Sequence, residues 1–332
     1  MRSDLLHVIG VYSNPRRYQA RTRLLREWIA RTLDAHVELT LVEHAFGERP
    51  YELSKSDLGM EHVNLVQVRG GPAHELWLKE GLINLGIARL PEDARYVCWE
   101  DTDVTHVQHD WAAETVHMLQ HHRVGQTWSH SLDLAPNGES VPLHCNRDVD
   151  RSFCAAWLAG DIDQINGAYA TQLQARSLLP KGSKKDPRRH PGYSWAIRRE
   201  VLNDIGRLLD WLVTGSADYH MALAFTGLLT KGDERMSAGY LRRLREFAKR
   251  CDAYVKQDVG YVPGLILHHW HGPKRDRFYV DRYEILLESH FDPDVDLAYD
   301  VHGLPMLVSD NRELRDGLRR YLSKRNEDSI DL

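Results

Sequence analysis

The 332-residue sequence predicts a mixed α/β protein built on a mostly parallel sheet flanked by helices, and three observations carry that expectation. β-prone runs alternate with stretches of helical periodicity through the first third of the chain, the pattern of a layered parallel sheet. Length and a 42% hydrophobic content give enough material for a full core and exclude a peptide-sized, disordered or disulfide-stapled answer. A short strand also runs directly into an acidic triplet, and parallel sheets collect ligands at the carboxyl ends of their strands.

Residues 7–13, HVIGVYS, read as the first strand, and Tyr18, Leu25, Trp28, Ile29 and Leu33 recur at near-helical spacing across 16–33. Strands are expected at 36–42 and 62–68, where apolar and polar residues alternate, and an apolar helix at 75–90, closed by Leu90-Pro91. The strand at 95–99 leads into Glu100, Asp101, Thr102 and Asp103. Asp110 has the character of an N-cap for a helix to about 120, and 124–132 reads as one strand before the Pro136-Asn137-Gly138 turn. A helix at 161–179 precedes 180–192, PKGSKKDPRRHPG, whose proline, glycine and basic residues make a loop. A strand at 193–197, helices at 199–205, 218–229 and 239–256, a strand at 259–270, and surface helices at 276–289 and 310–325 complete the reading.

With 43 basic against 48 acidic residues, the net charge of −5 argues against a protein that blankets nucleic acid with positive charge. Cys98, Cys145, Cys154 and Cys251 are sparse and lack CxxC spacing, which points to a reducing compartment, the cytoplasm by default. The opening apolar run is too short for a signal segment, and no stretch approaches the roughly 18 uncharged residues of a membrane span.

Three clusters carry chemistry. Asp101 and Asp103 follow a buried strand, so one carboxylate can anchor to the fold while the other projects toward a divalent cation. In His268-His269-Trp270-His271, strand alternation puts His269 and His271 on one face, where two imidazoles can meet one metal. Gly215-Ser216-Ala217-Asp218 is a small-residue turn that places Asp218 at a helix start, either as a cap or as a base aimed into a cleft. Asp292, Asp294 and Asp296 resemble the start of a calcium loop, but Leu297 and Gly303 stand where glycine and a bidentate glutamate are needed, so an EF-hand is rejected.

Taken in order, these clusters resemble the GT-A glycosyltransferases, and within them the inverting β-1,4-galactosyltransferase-like group. WLKEGLINLGIARL (77–90) is similar to the helix that precedes the group's DxD, with Asn84 and Gly86 in its N-x-G places, and WEDTD (99–103) to the metal strand. HPGYSWAIRREVLNDIG (190–206) is similar to the acceptor-wall segment, TGSADYH (214–220) stands at the base motif, and HHWH (268–271) at the late HxH. The group's tandem acids are reduced here to Asp218, and its tryptophan-rich glycine motif is absent.

The resemblance, which spans about residues 7–283, implies a GT-A (Rossmann-like) fold and transfer of a sugar from a nucleotide-sugar, UDP-linked by expectation, to an acceptor hydroxyl with inversion. It implies Mn²⁺ or Mg²⁺ held by Asp101, Asp103, His269 and His271, with His268 as the alternative to His269, and histidine ligation favouring manganese. Asp218 is the expected base, and Tyr12, Ser13, Arg17, Asn84, Asp101 and Trp195 the expected donor contacts, Trp195 by stacking on a sugar face. The expected organisation is a nucleotide-sugar-binding half (1–130), an acceptor and catalytic half (131–272) and a C-terminal helical extension (273–332). Lys181, Lys184, Lys185, Arg188 and Arg189 form a basic loop beside the acceptor side, suited either to a solvated surface or to an anionic acceptor such as hydroxymethylated-pyrimidine DNA, with a glycan as the other acceptor class. The rival readings are a zinc-dependent hydrolase using HHWH and the aspartates, and a non-catalytic carbohydrate- or DNA-binding module.

Overall fold

A computed structural model of the chain describes residues 4–56, 63–139, 149–162, 189–229, 233–278 and 281–331. Among these the strands are β1 (Leu6–Ser13), β2 (Glu38–Phe46), β3 (Asn64–Gly70), β4 (Tyr96–Glu100), β5 (Val104–His106), β6 (Val124–Gln126), β7 (His130–Asp133), β8 (Asp150–Ser152), β9 (Arg189–His190), β10 (Ser194–Arg198), β11 (Val259–Tyr261), β12 (Leu265–His268), β13 (Leu297–Tyr299) and β14 (Pro305–Leu307). Seven of them form one sheet in the order β11-β6-β10-β4-β1-β2-β3. Every neighbouring pair in it is parallel except the two made by β10, so the protein is mixed α/β with a mostly parallel sheet flanked by helices. A second sheet runs β5-β12-β7-β8-β9, and β13 pairs with β14.

The seam between the two large sheets positions the site. The single strands expected at 124–132 and 259–270 are each two strands, one in either sheet, and the two segments cross the seam side by side. Pro263 has no N–H for a ladder, which ends β11 before it, and Ser129 Oγ takes the N–H of Gly264 at 2.9 Å in place of strand pairing. The backbones approach so closely that a Cβ on Gly125 would collide with the carbonyl of Gly260. The passages from β4 to β5 and from β9 to β10 cross the same seam, bringing Asp101–Asp103 and His190–Tyr193 into it.

Helix Gln19–Asp34 packs Leu25, Trp28 and Ile29 onto the sheet, and Gly10 of β1 is shaped to that contact. Trp28 is among the largest fully buried side chains; truncating such a residue costs roughly 3–5 kcal/mol. The helix has no cap of its own, because Tyr18 offers no side-chain bond, and the carboxylate of Asp328 accepts from Gln19 N at 3.0 Å and Ala20 N at 2.8 Å instead. The C-terminal residues thus pack against the first helix. Arg325 and Glu327 are buried, and Glu327 pairs with Arg21 of the first helix.

The helix expected at 75–90 is the shorter Lys79–Ile87, with a 3₁₀ turn, Pro72–His74, ahead of it, and helix Arg199–Ile205 falls where 199–205 was expected. The expected helix at 161–179 and all of the basic loop except Arg189 and the residues after it fall outside the described residues. The acidic run at 292–296 is absorbed into structure: Asp292 accepts from Gly239 N at 3.3 Å, and Asp294 pairs with Arg242 and Arg243. Among the described residues no helix is long and apolar enough to cross a membrane.

Candidate metal and donor site

The segment Glu100-Asp101-Thr102-Asp103 distributes its three carboxylates among different tasks. Glu100 closes β4 and is buried, accepting from Trp28 Nε1 at 2.6 Å and facing His106 Nε2 at 2.7 Å. A buried carboxylate with both oxygens engaged is an anchor. Asp101 turns to the other side, where it pairs with Lys79, and its backbone N–H donates to Tyr193 O at 2.7 Å. Asp103 points at the histidines: its Oδ2 lies 2.9 Å from His271 Nε2 and 4.0 Å from His268 Nε2.

The strand register delivers the second half of that cluster. β12 ends at His268, opposite Val104 of β5 and in parallel register with Asp133 of β7. The chain then turns, with Gly272 in the left-handed region at φ 88°, and His271 returns beside His268 at 3.3 Å between their Nε2 atoms. His269 is not part of the cluster. Its Nε2 sits 2.7 Å from Thr105 Oγ1 and 3.2 Å from Arg31 Nη1, because period-two alternation stops where the strand stops. The His–x–x–His pair 268/271 replaces the His–x–His pair 269/271.

Asp103, His268 and His271 each direct one ligand atom to a common point, all within 4.8 Å of one another. Asp103 Oδ1 is buried with no hydrogen-bond partner, an orphan that close packing ordinarily forbids. Burial pushes the His271 imidazole down to about 4, with Arg277 adding to it and Asp103 opposing. Burial alone would raise Asp103, but His271, His268 and Arg277 outweigh it and hold the carboxyl well below its usual range. A neutral imidazole can move its one proton from Nε2 to Nδ1 when a cation arrives, so that Nε2 and the ionised carboxylate both offer lone pairs. On these grounds the residues fit a divalent ion of borderline character.

Across the seam lies a second group. Helix Ala217–Phe225 starts after Gly215 and Ser216, both left-handed at φ 89° and 74°, and Asp218 stands in its first turn with Oδ1 accepting from Tyr219 N at 2.8 Å. Gly192 opens the space that Asp218 occupies, since a Cβ there would lie 2.6 Å from Asp218 Oδ2 and 3.1 Å from His190 Cε1. His190 Nδ1 accepts from Gly192 N at 3.2 Å, which leaves the ring proton on Nε2, and burial pushes the imidazole down to about 3. Its ring stacks on Tyr193 at 3.8 Å, and Tyr193 meets His268 at 4.8 Å. A row of aromatic rings thus joins the Asp218 side to the Asp103 side.

Lys79 and Glu80 open helix Lys79–Ile87 beside this group. Burial pushes Glu80 up to about 7, with Asp218 and Asp101 adding to the rise and Lys79 opposing it. Lys79, Glu80, Asp133, His190 and Tyr193 were not among the expected site residues, and His268 stood only as the alternative to His269. The turn chemistry of Gly272-Pro273 after HHWH was the available signal for His268, since it ends a strand and favours a return at three-residue spacing.

The expected donor contacts divide. Ser13 ends β1 in register with His44 of β2, its Oγ 3.2 Å from His44 Nδ1, and Arg17 is exposed on a left-handed turn at φ 61°. Tyr12 turns into the core, its hydroxyl 2.7 Å from Thr22 Oγ1. Asn84 is occupied structurally. Its Oδ1 accepts from Leu208 N at 3.0 Å, and its Nδ2 donates to Leu208 O at 3.1 Å and Asp210 Oδ2 at 2.9 Å. Trp195 is 1% exposed, donates to Pro191 O at 2.7 Å and packs edge-on against Phe225, so it offers no face to a sugar. Alternation along β10 sends it into the core.

Fold and site together define a mixed α/β protein with a carboxylate–histidine cluster at the carboxyl ends of its sheet. No family model and no curated protein matches the chain. Among solved structures it is similar to S. aureus TarS 1-349 in complex with UDP, at 12% identity and a TM-score of 0.40, over 85% of this chain and 65% of that one. It is also similar to the catalytic domain of Drosophila β1,4-galactosyltransferase 7 in complex with xylobiose, at 8% identity and a TM-score of 0.33, over 92% and 94%. A third likeness is to 4-diphosphocytidyl-2C-methyl-D-erythritol synthase from Anaerococcus prevotii, at 10% identity and a TM-score of 0.34, over 79% and 90%. The chain spans 40% of the longer TarS chain. The fold class rests on the sheet order itself.

Proposed function

We propose that the protein is a metal-dependent glycosyltransferase of GT-A type that moves a sugar from a nucleotide-sugar, UDP-linked, to an acceptor hydroxyl with inversion. The observation that supports this reading most directly is the convergence of Asp103, His268 and His271 on one point, with Asp218 across the Gly192 opening. When bound, Mn²⁺ or a similar cation supplies Lewis acidity that offsets the charge developing on the departing diphosphate.

The chain's own residues do the rest. Asp103, His268 and His271 hold the cation, and the Lys79–Asp101 pair fixes the strand end from which Asp103 projects. Asp218 accepts the proton of the acceptor hydroxyl as that oxygen attacks the anomeric carbon from the face opposite the leaving nucleotide, a single displacement that inverts configuration. His190, whose ring and the Asp218 carboxylate both border Gly192, would orient the acceptor hydroxyl by donating its Nε2 proton to it. Ser13, which closes β1, and Arg17 in the turn beyond it are the contacts assigned to the nucleotide in this reading.

The test is a screen of nucleotide-sugars for Mn²⁺-stimulated hydrolysis, followed by transfer to polysaccharide and to hydroxymethylated DNA in parallel. Turnover of one donor class and glycosylation of one acceptor support the reading. Retention of zinc with hydrolysis of unrelated esters or amides, and with no nucleotide-sugar turnover, replaces it with a hydrolase.

A further inference from the structure

We propose that Asp133 is a positioning residue for the cation site, fixing His268 in the tautomer whose Nε2 lone pair faces Asp103 and His271; the inference rests on the metal reading above.

The placement is built into the sheet. Asp133 and His268 are the last residues of β7 and β12, which run parallel and pair these two residues in register, so both side chains rise from the same face. Asp133 Oδ1 lies 2.7 Å from His268 Nδ1, while Oδ2 pairs with the ammonium of Lys274, which follows the histidine turn. A carboxylate held between an ammonium and an imidazole acts as acceptor, so Nδ1 is the donating nitrogen. The proton being on Nδ1, Nε2 carries a lone pair, and it is Nε2 that stands 3.3 Å from His271 Nε2 and 4.0 Å from Asp103 Oδ2. Without Asp133 the two tautomers of His268 compete, and the one protonated on Nε2 points a hydrogen at the place a cation takes. Outer carboxylates of this kind characteristically orient a ligating histidine, and losing one lowers metal affinity about 10- to 100-fold.

The experiment uses the full chain and Mn²⁺ alone, with free Mn²⁺ read by electron paramagnetic resonance, and the tautomer of His268 read by ¹⁵N-imidazole NMR of the metal-free protein. The expected results are a wild-type His268 protonated on Nδ1, and Mn²⁺ binding about 10- to 100-fold weaker in Asp133→Asn. Asp133→Glu is expected to recover part of the affinity, and Lys274→Met, which leaves the carboxylate–imidazole bond in place, to lose less than Asp133→Asn. Unchanged Mn²⁺ affinity in Asp133→Asn overturns the proposal and leaves the metal reading standing. A wild-type protein that binds no Mn²⁺ overturns both. If Asp133→Asn does not fold, the wild-type spectrum decides, because His268 protonated on Nε2 contradicts the positioning role directly.

Discussion

Gly192 and Asp218 are fitted to one another: a methyl group on Gly192 would stand 2.6 Å from Asp218 Oδ2, closer than such atoms approach. The passage from β9 to β10 thus leaves at Gly192 the space that the Asp218 carboxylate takes. Gly192→Ala is expected to fold, because the clashing atom ends a side chain that can rotate, and to displace that carboxylate. Transfer rate should fall by about 10- to 100-fold, the cost of misplacing a reacting group by an ångström. UDP affinity in Mn²⁺, measured by calorimetry, should stay unchanged. Undiminished transfer would place the base elsewhere.

Asp218→Asn keeps the shape of that side chain and its bond from Tyr219 N while removing its capacity to take a proton. Donor affinity should be retained and transfer should drop by at least about 100-fold. Steady-state kinetics with one donor and one acceptor separates the two quantities.

A stability prediction follows from Gly10. A Cβ there would lie 2.5 Å from the Trp28 ring and 3.2 Å from Leu41 Cδ2, and neither can retreat within a packed core. Gly10→Ala should cost about 1–3 kcal/mol, read as a lower urea midpoint with unchanged slope.

Glu80 gives the chain a signed pH dependence. Burial, with Asp218 and Asp101 adding and Lys79 opposing, raises its folded pKa from 4.5 to about 7. Between those values the folded state binds the extra proton, so this group's contribution to stability declines as pH rises from about 4.5 to about 7 and is level above. Urea unfolding at pH 5, 6, 7 and 8 should show that decline in the wild type and a flatter profile in Glu80→Gln. Parallel profiles would mean that Glu80 is ionised throughout.

The sequence made the parallel core legible because β1 and β4 are largely apolar runs, because β2 alternates apolar and polar residues, and because Trp28 and Ile29 mark one helix face. Asp103 and Asp218 were found by residue type and by their places at strand and helix ends. What the sequence concealed is the seam. Short strands at 124–126 and 130–133, and again at 259–261 and 265–268, read as single strands because nothing local reveals that a ladder changes sheets. That concealment bears on the choice between His269 and His268: alternation favours His269 on a strand running to residue 270, and β12 ends at His268. Asn84, Tyr12 and Trp195 have the residue types of ligand contacts, yet each meets its hydrogen-bonding needs inside the fold, and only tertiary structure distinguishes the two uses. Asp133 carried no motif, since its partner lies on a strand far along the chain.

The central claim is that Asp103, His268 and His271 hold a cation for a nucleotide diphosphate, and calorimetric titration of UDP with and without Mn²⁺ tests it most directly. The account predicts binding that requires Mn²⁺, is abolished by chelation, and is lost in both Asp103→Ala and His271→Ala while His269→Ala retains it. UDP binding of equal strength in chelator, or loss in His269→Ala with retention in His271→Ala, would contradict it.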